Sequence, residues 1–89
     1  MEIYVPEYSQ KQSFPFVWED NFAIKCEIGA YGDVCIKANR DGLISLARHL
    51  LVLAQENVPE HTCFHLDGFN ALEVAQGGVS ELTVVKQEI

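Results

Sequence analysis

The clearest pattern along the chain begins at Phe22. Phe22, Ile24, Cys26 and Ile28 alternate with Ala23, Lys25 and Glu27, the period-two signature of a strand with one buried face. Gly29-Ala30-Tyr31-Gly32-Asp33 supplies residues that tolerate positive φ. Val34, Ile36 and Ala38 then resume the alternation against Cys35 and Lys37, so the two runs predict a β-hairpin. Asn39 is suited to accept from the free amides of a helix start, Asp41 suits its first turn, and Asn57 with Pro59 provides a stop, which predicts a helix over 40–57. At roughly 100° per residue, Leu43, Ile44, Leu46, Ala47, Leu50, Leu51, Leu53 and Ala54 fall on one half of the wheel. Ser45, Arg48, His49, Gln55 and Glu56 fall on the other. The first set, Leu43, Leu46, Ala47, Leu50 and Ala54 above all, is expected to face a sheet containing Phe22, Ile24, Ile36, Phe64, Leu66, Leu82 and Val84. His49 is expected to be a solvated surface histidine.

Beyond Pro59, Phe64 and Leu66 share one parity while His61, Cys63, His65 and Asp67 share the other, giving a strand with an apolar face and a polar one. Asp67-Gly68-Phe69-Asn70 and Gln76-Gly77-Gly78 mark turns, Ala71 to Ala75 fits either a strand or a helical turn, and Leu82-Thr83-Val84-Val85-Lys86 forms a last β-rich run. Residues 1–20 mix aromatics with breakers, and Pro15 confines any strand there to a sheet edge, so this segment is an edge strand or a covering arm. The expected architecture is α+β: a β-β-α-β-β core over 21–89, mostly antiparallel, with one amphipathic helix on one face and an aromatic N-terminal arm.

Composition narrows the function. Eighty-nine residues, 48% of them hydrophobic, make one domain able to fill a core. Six Lys and Arg against 13 Asp and Glu leave a net charge of −7, which disfavours nucleic acid and anionic membranes and favours a basic protein partner. The first residues carry neither a basic nor an apolar leader pattern, and no apolar run reaches the ~18 residues of a membrane span, so a cytoplasmic location is expected. Cys26, Cys35 and Cys63 are odd in number and fit no paired zinc or redox spacing; reduced, mostly packed thiols follow.

The set His61, Cys63, His65 and Asp67 holds zinc-ligand chemistry, but alternate residues of a strand stand about 6.7 Å apart, so only two neighbours could share one ion. A small metal-binding protein using His65 is therefore the weakest reading, and no metal, cofactor or catalytic residue is expected. Reactive thiols need an electropositive setting, which an acidic chain does not offer. Ser45 and Ser80 lie in no nucleophile-elbow pattern, and the chain is read as a non-enzyme. Carboxylates gather in loops beside aromatics, which is where a rigid scaffold concentrates recognition. Trp18, Glu19, Asp20, Tyr31, His65, Asp67 and Glu73 are the candidate partner-binding residues.

The helix segment from Lys37 to Ala54, with Asn39-x-x-Gly42-Leu43 at its start, the strand end His65-Leu66-Asp67 and the strand start Ser80-Glu81-Leu82 together resemble the bacterial polymorphic-toxin immunity proteins of the family numbered thirty-two. The resemblance runs from about residue 36 to 86, leaves out residues 1–20, and includes a longer loop between Asp67 and Ser80. It implies an α+β protein without catalytic activity that binds and neutralises a cognate toxin in the producing cell. A homodimer whose open sheet face is covered by a second copy is the alternative.

Overall fold

The computed structural model describes residues 1–73 and 80–88. The elements run β1 (Ile24–Ile28), β2 (Val34–Ala38), α1 (Arg40–Leu53), β3 (Cys63–Asp67) and β4 (Glu81–Val85), an α+β fold of two antiparallel hairpins and one helix. The hairpin β1–β2 pairs Ile24 with Ala38 and Ile28 with Val34, and its turn closes with Gly32 at φ 80°, where a side chain would be strained. In the second hairpin Cys63 faces Val85 and Asp67 faces Glu81. The hairpins meet where Leu72 forms a parallel bridge with Ile24 and the Glu73 amide donates to the Ile24 carbonyl at 2.8 Å. The part of Ala71 to Ala75 beyond Glu73, and the turn expected at Gln76-Gly77-Gly78, lie outside the described residues.

Ile24, Leu53, Val58, Phe64, Leu66 and Leu72 form the buried cluster, with Phe14, Phe16, Trp18, Phe22, Leu46, Leu82 and Val84 packed around it. The parity holds for Ile24 and Cys26 on β1, Phe64 and Leu66 on β3, and Leu82 and Val84 on β4, which are buried or half-buried. Ile28 at the end of β1 and Val34 and Ile36 on β2 do not follow, being 58%, 62% and 41% exposed. The thiols are all free, with Cys26 buried, Cys63 half-buried and Cys35 exposed.

The helix differs from expectation in two ways. It ends at Leu53 rather than 57, with Ala54 as its C-cap, because the Lys86 ammonium from beyond β4 donates to the Gln55 and Val58 carbonyls and draws that segment into a turn. It is also rotated. Ser45, Arg48 and His49 are buried, whereas Leu43, Leu50 and Leu51 are 55%, 43% and 47% exposed, Ala54 is exposed and Ala47 half-buried. Of the leucines expected on the inward half, Leu53 is buried in the core cluster and Leu46 packs against it.

The N-terminal arm is the reason. It crosses the helix as irregular chain, and the amides and carbonyls of such a segment need partners once covered. The polar face of α1 supplies them. Ser45 Oγ accepts from the Glu19 amide at 2.9 Å. Arg48 donates to the carbonyls of Tyr4 and Val17 and to the Glu19 carboxylate at 3.0 Å. Gln55 accepts from the Tyr8 amide and donates to the Pro6 carbonyl. The arm's aromatics then fill the space an inward leucine stripe would have taken.

Candidate functional site

Two clusters hold the chemistry-bearing side chains, one internal and one at an end of the molecule. The internal one centres on His49, which is fully buried. Trp18, Phe16, Phe64 and Phe14 surround its ring edge-on, with centroids 4.4, 5.0, 6.1 and 6.3 Å away. Trp18 in turn stacks between Phe16 and Phe22. The Val17 amide donates to Nε2 at 3.2 Å, so that nitrogen carries its lone pair and the ring is neutral. Nδ1 is buried and has no hydrogen-bond partner among the described residues. Burial, reinforced by the adjacent Arg48 charge, pushes the imidazole down to about 4. The sequence gives no warning of this: a histidine among polar neighbours on a helix reads as solvated until the arm is known to cross it.

Trp18 and Glu19, expected to contact a partner, lie at the border of this cluster, the Glu19 side chain being 38% exposed. Trp18 is half-buried in the aromatic stack, and Glu19 binds Arg48 through its carboxylate and Ser45 through its amide.

The second cluster lies at the end of the molecule where β1 and α1 begin and β3 gives way to β4. Asn39 ties it together: Oδ1 accepts from the amides of Gly42 (2.8 Å) and Ala23 (3.0 Å), and Nδ2 donates to the Asn21 carbonyl at 2.8 Å. One side chain therefore caps the helix and anchors the turn carrying Asp20. Gly42 fits the same junction, since a methyl there would stand 2.5 Å from the Ala23 carbonyl oxygen. Asp67 stabilises the neighbouring turn, its Oδ1 accepting from the amides of Phe69 and Asn70 at 2.9 and 3.1 Å. Asp67 thus has a turn-holding task, and the same turn projects Phe69 wholly into solvent.

Asp20, Glu73 and Glu81 are exposed at this end and Asp41 is half-buried. The nearby cations are Arg40 and Lys25, the latter 3.8 Å from Glu73. Phe69, one of the aromatics that lie beside loop carboxylates in sequence, and Glu81, which the sequence pattern does not mark, are at this end too: Asp67, Gly68, Phe69, Ser80 and Glu81 line a shallow concavity. A turn aromatic looks the same in sequence whether it folds inward or outward, so the sequence does not separate Phe69, which is solvated, from Phe14 and Phe16, which pack on the core.

His65 stands on the outer face of β3 with Nδ1 2.8 Å from Thr83 Oγ1 and 2.9 Å from Glu81 Oε1. Its Nε2 is 3.6 Å from Cys63 Sγ. Among the described residues no group of three or more His, Cys, Asp and Glu is placed to share a metal. His61 stands apart, at φ 74° ahead of β3. Tyr31 is fully exposed at the tip of the β1–β2 turn, at the opposite end from Asp20 and Glu73. No helix is long and apolar enough to cross a membrane among the described residues.

With this geometry in place, comparison with known proteins is informative. A family model described as Immunity protein 32 matches residues 33–87, which takes in β2, α1, β3 and β4 and leaves out the arm and β1. No curated protein and no solved structure matches the chain.

Proposed function

Because the chain belongs to the immunity protein 32 family, we propose that it is a non-catalytic protein that binds a cognate toxin domain in the cytoplasm of the producing cell and blocks it. The observation that carries the reading is the acidic end, where the fully solvated Phe69 and exposed Glu81 line one concavity and exposed Asp20 and Glu73 lie close in sequence to the Ile24–Leu72 bridge. An aromatic anchor within a charged rim suits a protein-binding face, and a net charge of −7 suits a basic partner. The motif residues that resemble the family serve the scaffold: Asn39 and Gly42 fix the helix start, Asp67 holds a turn, and His65 is tied to Glu81 and Thr83. Toxin specificity is accordingly assigned to the rim and Phe69, with His65 as a neighbouring contact.

Co-expression with the product of the adjacent gene tests the proposal, followed by binding of the purified pair at low and high salt. Protection from the toxin and salt-sensitive association are expected, because screening shortens the reach of the rim charges to about 8 Å near physiological strength. Asp20→Lys with Glu73→Lys should slow association, whereas Phe69→Ala should speed dissociation. No protection and no complex would refute the reading.

A further inference from the structure

The rotation of α1 leaves an apolar strip on its outer face. Leu43, Ala47, Leu50 and Ala54 lie along one line of the helix, and Leu51 flanks them. The strip alternates large and small: leucine, alanine, leucine, alanine. Each alanine lines a groove. Ala47 lies in one bounded by Met1, Ile3, Arg40, Leu43 and Ile44, and Ala54 in another bounded by Leu50, Leu53, Lys86 and Gln87.

This spacing is self-complementary. When two copies of the helix run antiparallel about a two-fold axis between residues 48 and 49, Leu43 comes level with Ala54 of the second copy and Leu50 with its Ala47. Every leucine then meets an alanine groove, and every alanine lets the backbones approach towards the ~8 Å end of helix packing distances. Exposed Arg40 extends past Leu53, the last helical residue of the second copy, towards the turn that carries its exposed Glu56. A parallel pairing in the same register would set leucine on leucine and Arg40 on Arg40.

We infer that the outer face of α1 is a homodimerisation surface, occupied by a second copy of this chain in antiparallel orientation. The pair is isologous, as two-fold dimers are. It uses none of Asp20, Phe69, Glu73 and Glu81 and is independent of the toxin-binding reading. The strip is small beside the ~800 Å² per partner of a standard interface, so the dimer is a weak one that forms in the micromolar range.

Sedimentation equilibrium from low micromolar to several hundred micromolar protein provides the test, with circular dichroism and urea midpoints confirming that each variant is folded. Wild type is expected to pass from monomer to dimer, and Leu50→Glu or Leu43→Glu to remain monomeric throughout. The discriminating variants exchange the two sizes. Leu50→Ala and Ala47→Leu should each weaken the dimer at least about tenfold, while the double variant, which again sets one leucine against one alanine, should return to within about threefold of wild type. Wild type that stays monomeric at the highest concentration would overturn the inference. So would a dimer indifferent to both glutamate variants, or single variants that weaken association without rescue in the double. A strip that served a foreign protein would not recover on the exchange.

Discussion

Acid should loosen this protein through one residue. His49 is neutral and enclosed in the folded chain, with an imidazole held down to about 4 against an ordinary 6.5. Above about pH 6.5 neither the folded nor the unfolded state protonates it, and it contributes no pH dependence. As pH falls from about 6.5 towards 4, the unfolded chain takes up a proton that the folded chain refuses, so stability drops over that window and levels off below it. At roughly 1.4 kcal/mol per pH unit, the fall from 6.5 to about 4 sets a ceiling of about 3 kcal/mol. Three of the four aromatics around the ring, Phe14, Phe16 and Trp18, are only half-buried, so water tempers the effect, and about 2 kcal/mol is expected.

Comparison with His49→Phe isolates this contribution. Phenylalanine keeps an aromatic ring in the cage while leaving the Val17 amide without its acceptor, a cost of about 1 kcal/mol that is the same at every pH. Urea unfolding followed by the fluorescence of Trp18, the sole tryptophan, measures both proteins from pH 7.5 to 4.5. The stability of wild type minus that of the variant should decline by about 2 kcal/mol across the range. A difference constant to within about 0.5 kcal/mol would refute the assignment.

Arg48→Met should cost about 2–4 kcal/mol by leaving the Tyr4 and Val17 carbonyls without their donor, and should make the first 20 residues the earliest site of limited proteolysis. Gly42→Ala should destabilise by about 1–3 kcal/mol despite the better helix propensity of alanine, since the new methyl meets the Ala23 carbonyl; an increase in the urea midpoint would show that the helix start can move away. Leu50→Ala, measured at monomeric concentration, should cost under about 1 kcal/mol because Leu50 is 43% exposed, whereas Phe64→Ala at the core should cost about 3–5 kcal/mol.

The strands were legible because period-two alternation is a local signal: Ile24, Phe64 and Leu66 are buried where the pattern places them. The helix was legible as a helix, and its cap at Asn39 follows from the chemistry of that residue. Its orientation was not. A wheel with leucines on one side and Ser45, Arg48 and His49 on the other reads as core and solvent when the helix is considered alone. The polar side instead serves an arm whose own pattern, broken by Pro6 and Pro15, shows no period and so does not announce that it runs beneath the helix. The end-on grouping of Asp20, Glu73 and Glu81 with Phe69 was equally hidden, because it depends on the parallel bridge between Ile24 and Leu72.

The arm's bonds to the helix impose an order on biosynthesis. Tyr4 waits 44 residues for Arg48, Pro6 waits 49 for Gln55, and Val17 waits 32 for His49. On the ribosome the aromatic segment therefore emerges long before any of its partners exist, and Phe14, Phe16 and Trp18 travel without shelter until α1 follows. Contacts of such long separation close late, after the hairpins and helix have formed from neighbours in sequence. A nascent chain stalled between β2 and the end of α1 would display its stickiest residues, making that interval the one in which chaperone capture has the most to grip.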